Sequence, residues 1–161
     1  MVTSWDSFFM AEAGASAALA GLIFVGVSIN MAKILSYPRL AQRAAQAITV
    51  LLVALIVSTL YLVPGQPFQI LGVEILAVGS VAWATNSRID IMSLRKVDEE
   101  HRTPNMFNIF LSQAASIPYV VAGATTIAFG GDGLYWLVPA VVLSFVKAIT
   151  DAWVLLVEIN R

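Results

Sequence analysis

The sequence predicts an all-α integral membrane bundle of five transmembrane helices, with the N-terminus outside and the C-terminus cytoplasmic. Three observations carry this expectation. Of the 161 residues, 59% are hydrophobic and only 12% charged, whereas about a quarter of a soluble domain is charged. Five apolar stretches are each long enough to cross a hydrocarbon layer about 30 Å thick. The basic residues, finally, fall in alternate connections between those stretches and at the C-terminus, Lys147 alone excepted. A single transmembrane domain over 1–161 follows, with spans at about 8–32, 44–63, 69–87, 105–129 and 134–157.

Thr3 and Asp6 form a helix-start box, and the helix they open runs past Phe8 and Phe24 to about Asn30 or beyond. The opening MVTSWDSFF lacks the positive region of a cleavable signal peptide, so this first apolar segment is expected to be retained as a span. Within it, Ala13, Ala17 and Gly21 recur at four-residue spacing, with Gly14 and Ala18 beside them. Small residues so spaced let two helix backbones approach closely in lipid. The expected use of this face is packing against another span of the same chain; the alternative is contact with a second subunit.

Lys33, Tyr37, Pro38, Arg39 and Arg43 make a short basic connection, and 44–63 is an almost unbroken aliphatic run. PGQPF at 64–68 turns the chain, because Pro fixes φ and Gly tolerates conformations closed to other residues. The third span carries Glu74 in its outer part and continues into RIDIMSLRKVDEEHR at 88–102, read as a helical extension that ends in a polar loop. Thr103 and Pro104 suit the cap and first position of a fourth helix. Pro118 falls in its interior and leaves the carbonyl of Ala114 to find another partner. GGDG at 130–133 breaks the chain before a fifth span, whose outer part Pro139 is expected to bend.

Lys33, Arg39, Arg43, Arg88, Arg95, Lys96, Arg102 and Arg161 all belong to one face of such a bundle, which the positive-inside rule assigns to the cytoplasm. Trp5, Tyr61, Tyr135 and Trp136 gather at the opposite boundary as an aromatic belt.

The chemistry-bearing residues are those found where hydrocarbon should be. Counting inward from Trp136 at 1.5 Å per residue places Lys147 roughly 16 Å deep, near the midplane. Asp151 follows one turn on, on the same face, and Glu158 continues that face to the inner boundary. Charged groups at such depth face protein or water rather than lipid. The same count puts Ser80 and Gln113 near the middle, Glu12 and Glu74 in the outer third as interfacial carboxylates, and Thr85, Asp90 and Glu158 toward the cytoplasm. Asn108, Ser112, Ser116 and Tyr119 add a polar stripe at helical spacing. Lys147 and Asp151 read as a structural ion pair, as steps of a proton or ion path, or as part of a lipid or small-ligand site. The order Lys then Asp at i,i+4 is the less favourable one within a helix, which points to a partner on another span or subunit.

The opening EAGASAALAGLIFVGVSINMAKILSYPRLAQRAAQA, followed by an aliphatic span ending in LVPGQP, resembles a group of small bacterial membrane proteins of actinobacteria and similar phyla. Some of these carry the label modulator of FtsH protease. The similarity covers the first two spans best. It implies a bacterial plasma (inner) membrane protein, and it maps no catalytic or binding residue onto this chain.

Without cysteine, disulfides, thiolate catalysis and cysteine-ligated metals are excluded, and a single histidine, His101, leaves little for a histidine metal site. The carboxylates Asp98, Glu99 and Glu100 beside His101 show no known ligand spacing. Phosphate-binding glycine loops, the nucleophile elbow and the zinc-protease helix motif are absent, and a net charge of -1 gives no draw toward nucleic acid. The expectation is therefore a non-enzymatic protein with no cofactor. Its partners are the lipid bilayer, further copies of itself in a homo-oligomer, and a larger membrane complex to which it is an accessory subunit. The alternative is an oligomeric ion or proton channel or transporter with Lys147, Asp151 and Glu74 along the path.

Overall fold

The computed structural model describes residues 4–94 and 102–159, and all of its long elements are helices. The helix α1, Ser4–Ile29, has Asp6 in its first turn, where a carboxylate complements the helix dipole. Thr3 lies outside the described residues. The basic connection is more helical than the sequence led us to expect: α2 spans Met31–Ser36, Tyr37 is extended, and α3 runs Pro38–Tyr61. The reason is local. Proline pushes the residue before it out of the α region and is itself suited to a helix's first position, so Pro38 makes one sharp corner and then starts a helix. Arg39 and Arg43 consequently lie on α3 and not in a loop.

After a turn in which Gly65 has φ 72°, a conformation that favours glycine, α4 spans Phe68–Leu94 and α5 spans Arg102–Phe129. The charged cluster Asp98, Glu99, Glu100 and His101 lies outside the described residues. Helix α5 opens at Arg102, ahead of the expected cap at Thr103, and continues through Pro118. Gly130, with φ 66°, starts a 3-10 helix over Gly130–Trp136 that leads into α6, Leu137–Ile159. Pro139 is thus the third residue of α6, in the first turn, where its missing N–H removes no bond within the helix.

Four stretches are long and apolar enough to cross a membrane: Trp5–Ile29, Pro38–Tyr61, Phe68–Leu94 and Met106–Val157. The last contains both α5 and α6 with the 3-10 helix between them. Helix α3 is central and α1 peripheral, since half of the most apolar window of α3 is buried but only 17% of that of α1.

Antiparallel α4 and α5 approach closely. A Cβ on Gly72 would stand 2.7 Å from Ile127 Cγ1, one on Gly79 2.9 Å from Tyr119 Cβ, and one on Gly123 2.6 Å from Leu76 Cα. These three glycines let the backbones touch, which matters in lipid because helix association there depends on packing and not on expelling water. The stripe on α1 behaves differently. Gly14, Ala17, Ala18 and Gly21 are exposed and Ala13 half-buried, and a Cβ on Gly14 or Gly21 would meet nothing within 4 Å. The expected internal packing of this face is not found. Instead α1 turns Phe9, Glu12 and Ser16 inward, because the larger Phe9 ring fills the space beside Tyr61, on which it stacks with centroids 4.1 Å apart.

The end of the bundle bearing the Gly65 turn and the 3-10 helix is closed by aromatic rings. Trp5 meets Tyr135 at 5.0 Å and Phe9 at 5.9 Å. Lys33, Arg39, Arg43 and Arg88 lie toward the opposite, basic end, at the junction of α2 with α3 and the far end of α4.

Candidate functional site

In the half of the bundle nearer the basic end, four helices send polar side chains into one buried network. Lys147 on α6 is its centre, with no solvent exposure. Its ammonium donates to Gln46 Oε1 on α3 at 3.3 Å, to Asn108 Oδ1 on α5 at 3.1 Å, and to Asp151 Oδ2 one turn along α6. An ammonium has three donors, and all three are used. The second oxygen of Asp151 accepts from Arg43 at 3.2 Å.

Gln46 joins this group to a second carboxylate. Its carbonyl oxygen accepts from Lys147 and, at 3.2 Å, from Asn108. Its amide nitrogen donates to Asp90 Oδ1 on α4 at 2.7 Å and to Ser112 at 3.4 Å. The other oxygen of Asp90 accepts from Gln113 at 3.0 Å, which also donates to Ser87 at 3.2 Å and accepts from Trp83 Nε1 at 2.8 Å. Two cations, Arg43 and Lys147, therefore share one network with two carboxylates, Asp151 and Asp90, and the formal charge sums to zero. Arg43, with 19% of its side chain exposed, and Trp83, 43% exposed, connect it to the surface.

Lys147, Asp151 and Gln113 are brought together here, Gln113 through Asp90. Ser80 is half-buried and takes no part. Glu74 accepts from Gln66 in the turn after α3, and 16 residues along α4, about 24 Å at helical rise, separate it from Asp90. Glu12 is not the wetted carboxylate expected: it is 6% exposed and accepts from Ser16 Oγ at 3.0 Å. Of the polar stripe on α5, Asn108 and Ser112 join the network. Ser116 instead accepts from Asn86 at 3.1 Å, and Tyr119 bonds Ser144 at 3.1 Å. Thr85 bonds its own helix at Val81 O. The side chain of Glu158 lies outside the described residues.

Sequence reasoning passed over Gln46, the residue that ties the two carboxylates together. It stands near the start of the second span among Ala44, Ala45 and Ala47, and a depth count there, as made for the other spans, would have marked it. Arg43 was hidden by its reading as loop.

Every member of this cluster is bonded to another member, which ties together the relative rotation of α3, α4, α5 and α6. Replacing Gln46 by Leu should leave Lys147 short of an acceptor and Asp90 short of a donor, at a cost of about 1–3 kcal/mol. Trp83→Phe, which removes one exposed donor, should be near neutral. Unfolding of the two variants in mixed detergent micelles checks the contrast, and equal stabilities would contradict the hub role of Gln46. Among the described residues no group of three His, Cys, Asp or Glu side chains is placed to hold a metal ion.

Comparison of the chain with protein-family models, with curated proteins and with solved structures finds no match.

Proposed function

We propose that this chain is a five-crossing protein of the bacterial plasma membrane, with its N-terminus outside and its C-terminus cytoplasmic. In this reading it acts without catalysis, by assembling with further copies of itself or with a larger membrane complex. The five-crossing reading is supported by the stretch Met106–Val157. Straight, its 52 residues would extend about 78 Å, more than twice a hydrocarbon core of about 30 Å. The Tyr119–Ser144 bond instead holds α5 beside α6. Orientation follows from the collection of Lys33, Arg39, Arg43 and Arg88 at one end. Service to a membrane-bound protease, the partner named by the resemblance, is one form such assembly takes.

The observation that carries assembly is the outward stripe Gly14, Ala17, Ala18 and Gly21, which nothing among the described residues covers. The absence of native cysteine makes its test direct. Ala17→Cys in membranes should give disulfide-linked dimers under mild oxidation, while Phe110→Cys, on the exposed side of α5, should stay monomeric. Equal cross-linking at both positions, or none at either, would overturn self-assembly through α1. Conduction through Glu74, Lys147 and Asp151 is less well supported, because Glu74 is remote from the other two and the Lys147 ammonium has all three donors engaged. Liposomes containing the protein should show no proton or ion flux that Lys147→Met abolishes.

A further inference from the structure

Glu12 presents a charge problem that the network around Lys147 does not solve. It is buried on the inward face of α1, with Ser16 Oγ as the donor to its Oε1. Antiparallel packing sets its neighbours. Phe9 stacks on Tyr61, so one turn on in α1 and one turn back in α3 bring Glu12 level with Ser58. The Ser58 hydroxyl is fully buried and has no hydrogen-bond partner. From α5, Tyr119 lies within electrostatic reach of Glu12, and its hydroxyl is bonded to Ser144 of α6. The other titratable group facing this level from α3 is Tyr61. Each of these groups is uncharged, and of them only Ser16 is bonded to Glu12.

No cation is at hand either. The segments 1–32, 44–87 and 103–146 contain no Lys or Arg. Lys147, whose three donors are already used, meets α3 at Gln46, twelve residues and about 18 Å along that helix from Ser58. Between the two levels lies an apolar layer of Ala47, Val50, Leu51, Ala115 and Ala148, and on the other side Phe9 and Trp5 close the end of the bundle. An isolated ionised carboxylate in such surroundings is so costly that the group neutralises instead.

We propose that Glu12 is an intramembrane proton-binding site: its carboxyl carries a proton at neutral pH, and the Ser16 hydroxyl orients it by donating to Oε1. The ligand is a proton and not a metal cation. One carboxyl among neutral hydroxyls balances a single positive charge, and a proton needs no coordination shell wider than these few oxygens. The inference rests on the bundle lying in a bilayer.

Infrared spectroscopy of the protein in oriented lipid films tests both points in one sample. Amide dichroism reports whether the helices cross the film, so failure of the bilayer reading is seen separately. In the carbonyl region, wild type minus Glu12→Gln should show a protonated-carboxyl band at neutral pH, shifted by deuterium exchange. Ser16→Ala should move that band toward the position of a carboxyl without a hydroxyl donor, leaving the amide signal unchanged. A difference spectrum with only ionised-carboxylate bands would overturn the proposal. So would conversion of the band to carboxylate on adding sodium ions, which would make the site one for a metal cation.

Discussion

Replacing Lys147 by Met should destabilise the folded bundle by about 3–5 kcal/mol, the cost of removing one partner of a buried ion pair. Three groups lose their donor at once: Asp151 keeps only Arg43, and Gln46 Oε1 and Asn108 Oδ1 lose the ammonium. Folded yield in detergent should fall and the unfolding midpoint in mixed micelles should drop accordingly. The double variant Lys147→Met, Asp151→Leu should recover much of the loss, because a buried pair replaced by apolar groups of similar volume is often neutral. Arg43, already partly exposed, can then turn its guanidinium to the interface. A single variant as stable as the wild type would show that the network does not hold the four helices, and would reopen the conduction reading.

Adding one methyl group at Gly123 should cost about 1–3 kcal/mol through overpacking, whereas the same change at Gly14 or Gly21 should be neutral or stabilise by up to about 1 kcal/mol. The chemistry is identical and only the surroundings differ. Gly123 faces the backbone of Leu76, which cannot rotate away, while nothing lies within 4 Å of the other two. Unfolding of Gly123→Ala and Gly14→Ala side by side measures the difference. Equal effects would mean that α4 and α5 do not touch as described.

These two contrasts also mark where the sequence was legible. Long apolar runs separated by proline and glycine corners announced the helices, and the depth count brought out Lys147 and Asp151 because a charge among aliphatic residues has no innocent reading. Faces were harder. Helix α1 is apolar around its whole circumference, so nothing in its pattern tells the side holding Phe9 from the side holding Gly14. The glycines that do the packing, Gly72, Gly79 and Gly123, are spread over two helices, and only their antiparallel register aligns them. Gln46 shows a third limit: a neutral amide is a weak signal alone and becomes a hub only when α4, α5 and α6 converge on it. Glu12 was placed by depth in the outer third, but depth says nothing of which way α1 turns it, and it is buried on the inward side.

In the membrane-spanning reading proposed above, that Lys147 and Asp151 share one helix bears on how the chain enters the bilayer in the first place. A lone lysine or aspartate in the middle of a nascent segment opposes insertion by about 2.5–3.5 kcal/mol. With its counter-ion a single turn away, α6 presents the translocation machinery with a self-neutralised segment. It can therefore partition into lipid before its side chains have found Gln46 and Asn108 on the helices made earlier.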